Sequence, residues 1–287
     1  MKLFICALDG SPRAAGVLEA ARAHAAAAGG RLVLVQAVTP MMMPAGLEPL
    51  APLDLMDRIV AAARKDLEAV AAKVPPGMVE GVSVELGIPW QTITEQAKTR
   101  NAAGIFIGAH GYTLLDRALG TTAQRVVDHA DRPVFVVREA GKGQKSVVVA
   151  ALDDTAHAPA VLAAAVEAAR SRAAVLKLIR VVPDLGKVPM AELAEPLNAL
   201  TTAILKTARE RLEHLAEGLQ GISVAGFHVE IGTPWRGICQ HAATENAALI
   251  VVGAHVHPLL QRALGTTAAR VVNHAECTVL VMPAPAS

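Results

Sequence analysis

Three glycines and two threonines carry the clearest chemical signal in this chain. Gly108, Gly111 and Gly120 punctuate one short segment, and Thr121 and Thr122 follow directly. Glycine lets a backbone take positive φ and come close to a bulky anion. A helix N-terminus presents unpaired N–H groups and a partial positive charge, and threonine hydroxyls add donors in the same place. Together these five residues can form a cup for a di- or triphosphate without any lysine. The plainer reading is a glycine after a strand and a Gly-Thr helix N-cap, and at this point both stand. Asp9 closes the first apolar run of the chain and reads either as a ligand-facing carboxylate or as a turn residue.

Other chemistry-bearing residues read as structural. His110 and His255 recur at matching places, which favours loop packing over catalysis. His255 and His257 have no Cys or acidic partner nearby in sequence, so no metal site is expected. His129 and His274 end helices, where an imidazolium complements the C-terminus. Trp90 and Trp235 suit core or interdomain packing better than ligand stacking. Met41, Met42, Met43 and Pro44 suit a lid, a hydrophobic partner surface or a plain connection. No Gly-x-x-x-x-Gly-Lys-[Ser/Thr] loop and no protein-kinase motif set occurs.

The chain is one unit written twice. Gly108–Ala130 recurs as Gly253–Ala275, sharing Gly-Ala-His, Arg-Ala-Leu-Gly-Thr-Thr-Ala and Arg-Val-Val, at an offset of 253 minus 108, or 145. Glu85–Trp90 recurs as Glu230–Trp235 at the same offset, and Ala7–Asp9 as Ala151–Asp153 at 144. Two homologous domains are expected, 1–141 and 145–287, joined by the short polar Gly141–Lys145.

Each half alternates strand and helix. Leu3–Asp9, Leu32–Val38, Val82–Leu86, Ile105–Ile107 and Val134–Val137 read as strands, mostly short apolar runs that suit a buried parallel sheet. Between them, Pro12–Ala28, Leu53–Val74, Pro89–Arg100 and Thr121–His129 read as helices, with Gly29-Gly30 as a stop and Pro89 at a first turn. The second half repeats the series from Val147–Asp153 to Val279–Met282. The fold class is α/β, with two repeated open parallel sheets carrying helices on both faces. Ligands of such sheets sit beyond the carboxyl ends of the strands, where Asp9 and Gly108 fall.

Composition narrows the function. Lys+Arg 27 against Asp+Glu 26 leaves a charge of +1 with no basic block, which argues against a nucleic-acid partner held by phosphate neutralisation. Aromatic residues make up only 2%, too few for a base-stacking platform. A hydrophobic fraction of 53% and a mean hydropathy of +0.39 exclude general disorder. The apolar run after Lys2 is too short for a secretory signal, and no stretch approaches the ~20 residues of a membrane span. Cys6, Cys239 and Cys277 are isolated and read as reduced thiols. The expected compartment is the cytoplasm, with no membrane partner.

The set Ala-Leu-Asp-Gly-Ser-Pro after strand one, Gly-x-Pro after strand three, Gly-Ala-His-Gly after strand four and Gly-Thr-Thr-Ala-x-Arg-Val-Val resembles the universal stress protein family in its tandem two-domain form. The resemblance covers nearly the whole chain. It implies a Rossmann-like sheet of order 3-2-1-4-5, of the adenine nucleotide alpha hydrolase-like kind, with the two domains paired through their fifth strands and further homo-oligomers open. It also implies ATP, or ADP or AMP, with Mg²⁺ as a companion ion. The family pattern is Gly-x-x-Gly, nine residues, then Gly-[Ser/Thr]. Here residues 112–119 make the gap eight, and Val256 stands where Gly111 stands in the first copy. The first half is therefore the better nucleotide candidate.

By the same resemblance, Ala7 and Asp9 line the adenine and ribose side, and Asp9 accepts from a hydroxyl. Ala37 or Val38 meets the base edge, and Ile107 packs on the ring. Gly108, Gly111, Gly120, Thr121, Thr122 and Ala123 surround the phosphates. Asp153, Gly253, Gly265, Thr266 and Thr267 are the weaker second-half counterparts. No catalytic residue is assigned. The leading expectation is a cytoplasmic stress-response or signalling module that binds nucleotide without efficient turnover. A ligand-free scaffold of the same fold and a slow ATPase are the alternatives.

Overall fold

The computed structural model of the protein describes residues 1–39, 54–109, 119–138, 146–184, 194–219, 221–222, 224–254 and 266–284, by backbone alone at 194–198 and 266. The chain forms two compact units, Met1–Glu139 and Ala140–Ser287. The first contains β1 (Leu3–Ala7), α1 (Ala14–Ala27), β2 (Arg31–Val38), α2 (Leu55–Ala71), β3 (Val79–Leu86), α3 (Pro89–Thr99), β4 (Gly104–Gly108), α4 (Thr121–His129) and β5 (Val134–Val137). The second contains β6 (Val147–Ala151), α5 (Ala158–Ser171), β7 (Val175–Pro183), α6 (Ala194–Glu217), β8 (Val224–Gly232), α7 (Pro234–Thr244), β9 (Leu249–Gly253), α8 (Thr266–His274) and β10 (Thr278–Met282).

Within the first unit the strand order is β3-β2-β1-β4-β5, and within the second β8-β7-β6-β9-β10. The paired strands run parallel. Each unit thus has the order 3-2-1-4-5 and the expected α/β class. Phe4–Ala7, Gly104–Ile107 and Val134–Val137 are wholly buried, as strands covered on both faces require. Among the described residues, no helix is long and apolar enough to cross a membrane. All three cysteines are free, and complete burial raises the Cys6 thiol far above its ordinary range.

One strand begins earlier than its alternation suggests. β3 starts at Val79 rather than Val82, because the β2–β3 register slips between Leu32 and Val33, which pair with Val79 and Gly81. The extra residue is a bulge, and it breaks the period-2 pattern on which the sequence reading relies. The same slip occurs between β7 and β8, ahead of Gly226.

Three of the four phenylalanines share one core. Phe4, Phe106 and Phe135 surround His24 of α1, with Phe106 and Phe135 stacked at 4.2 Å and the His24 ring 4.7 Å from Phe135 and 5.0 Å from Phe4. His24 is 7% exposed. At the matching second-unit positions stand Val148, Ala168, Val251 and Leu280, so the same frame is packed there with aliphatic side chains.

The return from helix to second strand also differs. Gly29 takes φ +62°, and a Cβ on Gly30 would lie 2.7 Å from the Lys2 carbonyl oxygen. In the second unit Ala173 holds the equivalent left-handed position at φ +48°, where an L side chain costs roughly 1–2 kcal/mol. Ala173→Gly is expected to raise stability by up to about 1 kcal/mol, read as a higher urea midpoint. A lower midpoint contradicts the strain.

A polar cluster beside the outer strands has diverged between the units. In the first, Glu85 accepts hydrogen bonds from Ser83 Oγ at 2.9 Å and from Gln96 Nε2. In the second, His228, Glu230 and His241 stand at those positions. The two imidazole rings stack at 4.4 Å, and His228 Nε2 lies 3.0 Å from Glu230 Oε2. Burial first, and then the neighbouring His228, hold His241 below its ordinary 6.5. Protonation of His241 is therefore harder in the folded than in the unfolded chain. Its contribution to stability is present above about pH 6.5 and is lost as pH falls below that value toward the folded pKa. His241→Gln, which copies Gln96, should flatten the fall in melting temperature between about pH 7.5 and pH 5.5, measured by calorimetry. An unchanged slope contradicts this assignment.

Candidate functional site

The carboxyl ends of β1, β2 and β4 and the start of α4 border a hollow of about 370 Å³ in the first unit. Its apolar wall comes from strand ends: Ala7 and Leu8 beyond β1, Ala37 of β2, and Ile107 of β4. Opposite lie Gly108, Gly120, Thr121, Thr122 and Ala123. No side chain caps α4, so its first-turn N–H groups have no intrahelical acceptor and no side-chain substitute. Gly108 ends β4 and Gly120 is the N-cap of α4, as the plainer reading has it, and the same helix start borders the hollow.

Gly108 and Gly120 do not act through positive φ. Gly120 sits at φ −64° and ψ 146°, extended backbone open to any residue, and Gly108 is not among the positive-φ glycines. The left-handed glycine of the site is Gly10, at φ +72°. It turns the chain after Asp9, whose Oδ1 accepts the Ser11 N–H at 3.0 Å. Asp9 is therefore the acceptor of its turn, and its carboxylate also borders the hollow.

Of the other predicted residues, Val38 does not line the hollow. Side chains alternate along a strand, so Ala37 and Thr39 share the face that does. The Val38 carbonyl accepts the Gly87 N–H at 2.9 Å. Gly111 lies outside the described residues, as do His110, Met41–Met43 and the linker Gly141–Lys145.

Ser11 and Arg13 were missed by sequence reasoning and belong to the wall. Ser11 is 6% exposed, and its Oγ is buried without a hydrogen-bond partner. Arg13 stands at the N-cap of α1, where the helix dipole disfavours a cation. That misplacement was a legible signal that the residue has another task. It borders a hollow to which the glycine and threonine pattern brings no cation.

In the second unit Asp153 accepts from the Thr155 N–H at 3.0 Å and from Thr155 Oγ1 at 2.6 Å. Gly253 ends β9, and Thr266 and Thr267 open α8. Gly265, His255, Val256 and His257 lie outside the described residues. The tryptophans pack on the helix-ending histidines of their own units, Trp90 on His129 at 4.4 Å and Trp235 on His274 at 4.5 Å. His129 Nδ1 lies 2.9 Å from the Arg125 carbonyl oxygen, a structural contact at a helix end.

The Universal stress protein family profile matches residues 1–138 and again 146–283. The chain belongs to that family, in its tandem two-domain form. It is similar to a universal stress protein from Archaeoglobus fulgidus DSM 4304, at 20% identity over 98% of this chain and 96% of that one, with a TM-score of 0.71. It is also similar to a functionally unknown protein from Pseudomonas aeruginosa PAO1, at 18% identity over 99% and 92%, TM-score 0.70. A universal stress protein solved in complex with cAMP matches 48% of this chain and 97% of its own at 21% identity, TM-score 0.36.

The unpaired hydroxyl yields a direct test. A buried donor without a partner carries a desolvation cost, so Ser11→Ala should leave the melting temperature of the ligand-free protein unchanged or raise it. A loss above about 1 kcal/mol in denaturant titration would mean that Ser11 already has a partner.

Proposed function

We propose that the first unit binds an adenine nucleotide, ATP or the related ADP or AMP, with Mg²⁺ as companion ion, and that the protein works as a nucleotide-responsive stress or signalling module. The observation that carries this reading is the hollow itself. It combines an aliphatic wall, an uncapped helix start and a cation within about 370 Å³, in the usual size range of small-molecule sites.

Ala7, Ala37 and Ile107 offer a flat apolar slot for a base, and Asp9 is the acceptor suited to a ribose hydroxyl. Gly108 and Gly120 leave space for phosphates beside Thr121, Thr122 and Ala123. Arg13 adds a charge-assisted contact, the stronger kind of hydrogen bond. Ser11 Oγ, lacking a protein partner, is a donor or acceptor in reserve. The proposal is holding rather than turnover: the chain carries no Walker lysine motif, and positioning without concentrated charge stabilisation omits the largest catalytic contribution.

Titration calorimetry of the intact protein with ATP, ADP and AMP, with and without Mg²⁺, tests the reading. Gly120→Val is compatible with the local backbone, so the variant should fold, yet its isopropyl group should cut affinity at least about tenfold, or 1.4 kcal/mol. Unchanged affinity in the folded variant removes this hollow as the site. Absence of binding by the wild type favours the ligand-free scaffold. A steady-state hydrolysis rate above about 1 s⁻¹ makes the protein an ATPase.

A further inference from the structure

The two units differ at the residue that follows the acidic turn. Asp9 and Asp153 are equivalent at an offset of 144, and the same offset carries Arg13 to His157 and Val17 to Val161. In the first unit, Arg13 and Val17 border the open hollow together with Gly108. In the second, His157 is 8% exposed, while Val161 is as buried as Val17. A Cβ placed on Gly253, the counterpart of Gly108, would lie 2.9 Å from His157 Cδ2, 3.1 Å from Val161 Cγ2 and 3.6 Å from His157 Nε2. The imidazole therefore rests against the glycine that, in the first unit, borders open space. Its Nε2 is buried and has no hydrogen-bond partner, so polar bonding does not explain the inward position.

We infer that His157 is the plug of a latent second site: its ring occupies in the second unit the space that the hollow takes up in the first, and the chain holds one nucleotide rather than two. This rests on the nucleotide reading of the first unit. The chemistry of the two side chains accounts for the difference. Arginine has a long flexible stem that carries its charge to the rim while the stem lines the wall. Histidine is short, and its ring stays where its Cβ puts it. A second contrast points the same way. Ser11 Oγ is unpaired in the first unit, whereas the equivalent Thr155 hydroxyl is turned onto Asp153 Oδ1 at 2.6 Å. The Thr155 hydroxyl is thus engaged by the turn carboxylate, whereas the Ser11 hydroxyl is not. Asp153 after β6, Gly253 at the end of β9 and Thr267 in the first turn of α8 keep their places, and Val256 stands for Gly111 in the sequence.

Calorimetric titration of the intact chain with ATP gives the stoichiometry directly. One site is expected for the wild type and two for His157→Ala and His157→Arg, the latter copying Arg13. Gly120→Val should bind none, and Gly120→Val combined with His157→Ala should regain one. Two sites in the wild type overturn the inference, as does a single site in both folded His157 variants. If no variant binds ATP, the nucleotide reading itself fails. Closure is then decided by diethyl pyrocarbonate acylation mapped by mass spectrometry. Exposed His129 and His214 should react, and His157 should react at least roughly tenfold more slowly, through local opening only. Modification of His157 at the rate of His214 overturns the plug whatever the ligand result.

Discussion

Parallel strands covered on both faces leave no place for a polar side chain except at their ends, and the rest of this protein follows from that constraint. Side chains facing either layer must be apolar, and β1, β4 and β5 are buried almost without interruption. Polar chemistry is thereby displaced to the loops beyond the carboxyl ends. There the 3-2-1-4-5 order sends the chain to opposite sides of β1, and the crevice it leaves is where ligands of open α/β sheets bind. The hollow beside Ala7, Ala37 and Gly108 lies at that crevice. Its helix start, its carboxylate and its cation all come from segments that leave strand ends.

Duplication shows which features the frame demands and which it tolerates. Strand order, the bulges ahead of Gly81 and Gly226 and the stacking of tryptophan on a helix-ending histidine occur in both units. Core chemistry does not: a cluster of phenylalanines around His24 does the work that valine, alanine and leucine do in the other copy. The polar cluster on Glu85 and Glu230 has likewise passed from uncharged neighbours to titratable ones. The second unit thus carries in His241 an imidazole held below its ordinary range where the first carries Gln96.

Much of this was legible in the sequence. Internal repetition identified the two-unit plan, and apolar runs bounded by glycine and proline located the strands. Resemblance to the universal stress proteins supplied the strand order, which local pattern alone does not contain. The start of β3 was not legible, because a bulge erases the alternation that marks a strand. At the hollow, Ala37 was legible from its place at a strand end. Val38, the other residue offered for the base edge, does not line the hollow, and in a strand one residue is the whole difference between two faces. Ser11 and Arg13 were out of reach of spacing arguments, since which turn residues meet a cavity is decided by how a helix packs back on its sheet. Positive φ was expected at the phosphate glycines; Gly108 and Gly120 do not take it, Gly111 lies outside the described residues, and Gly10 takes it in the turn after Asp9.

The slipped register of β3 and β8 has a consequence for how the protein behaves in a crowded solution. These strands stand outermost in the order of their own units, and an outermost strand offers unsatisfied backbone groups to any foreign strand that approaches. A kinked strand with a glycine beside the kink, and with Glu80 and Glu85 along its length in the first unit, is a poor template for such joining. The irregularity that hid β3 from pattern reading thus works against uncontrolled growth from one molecule to the next.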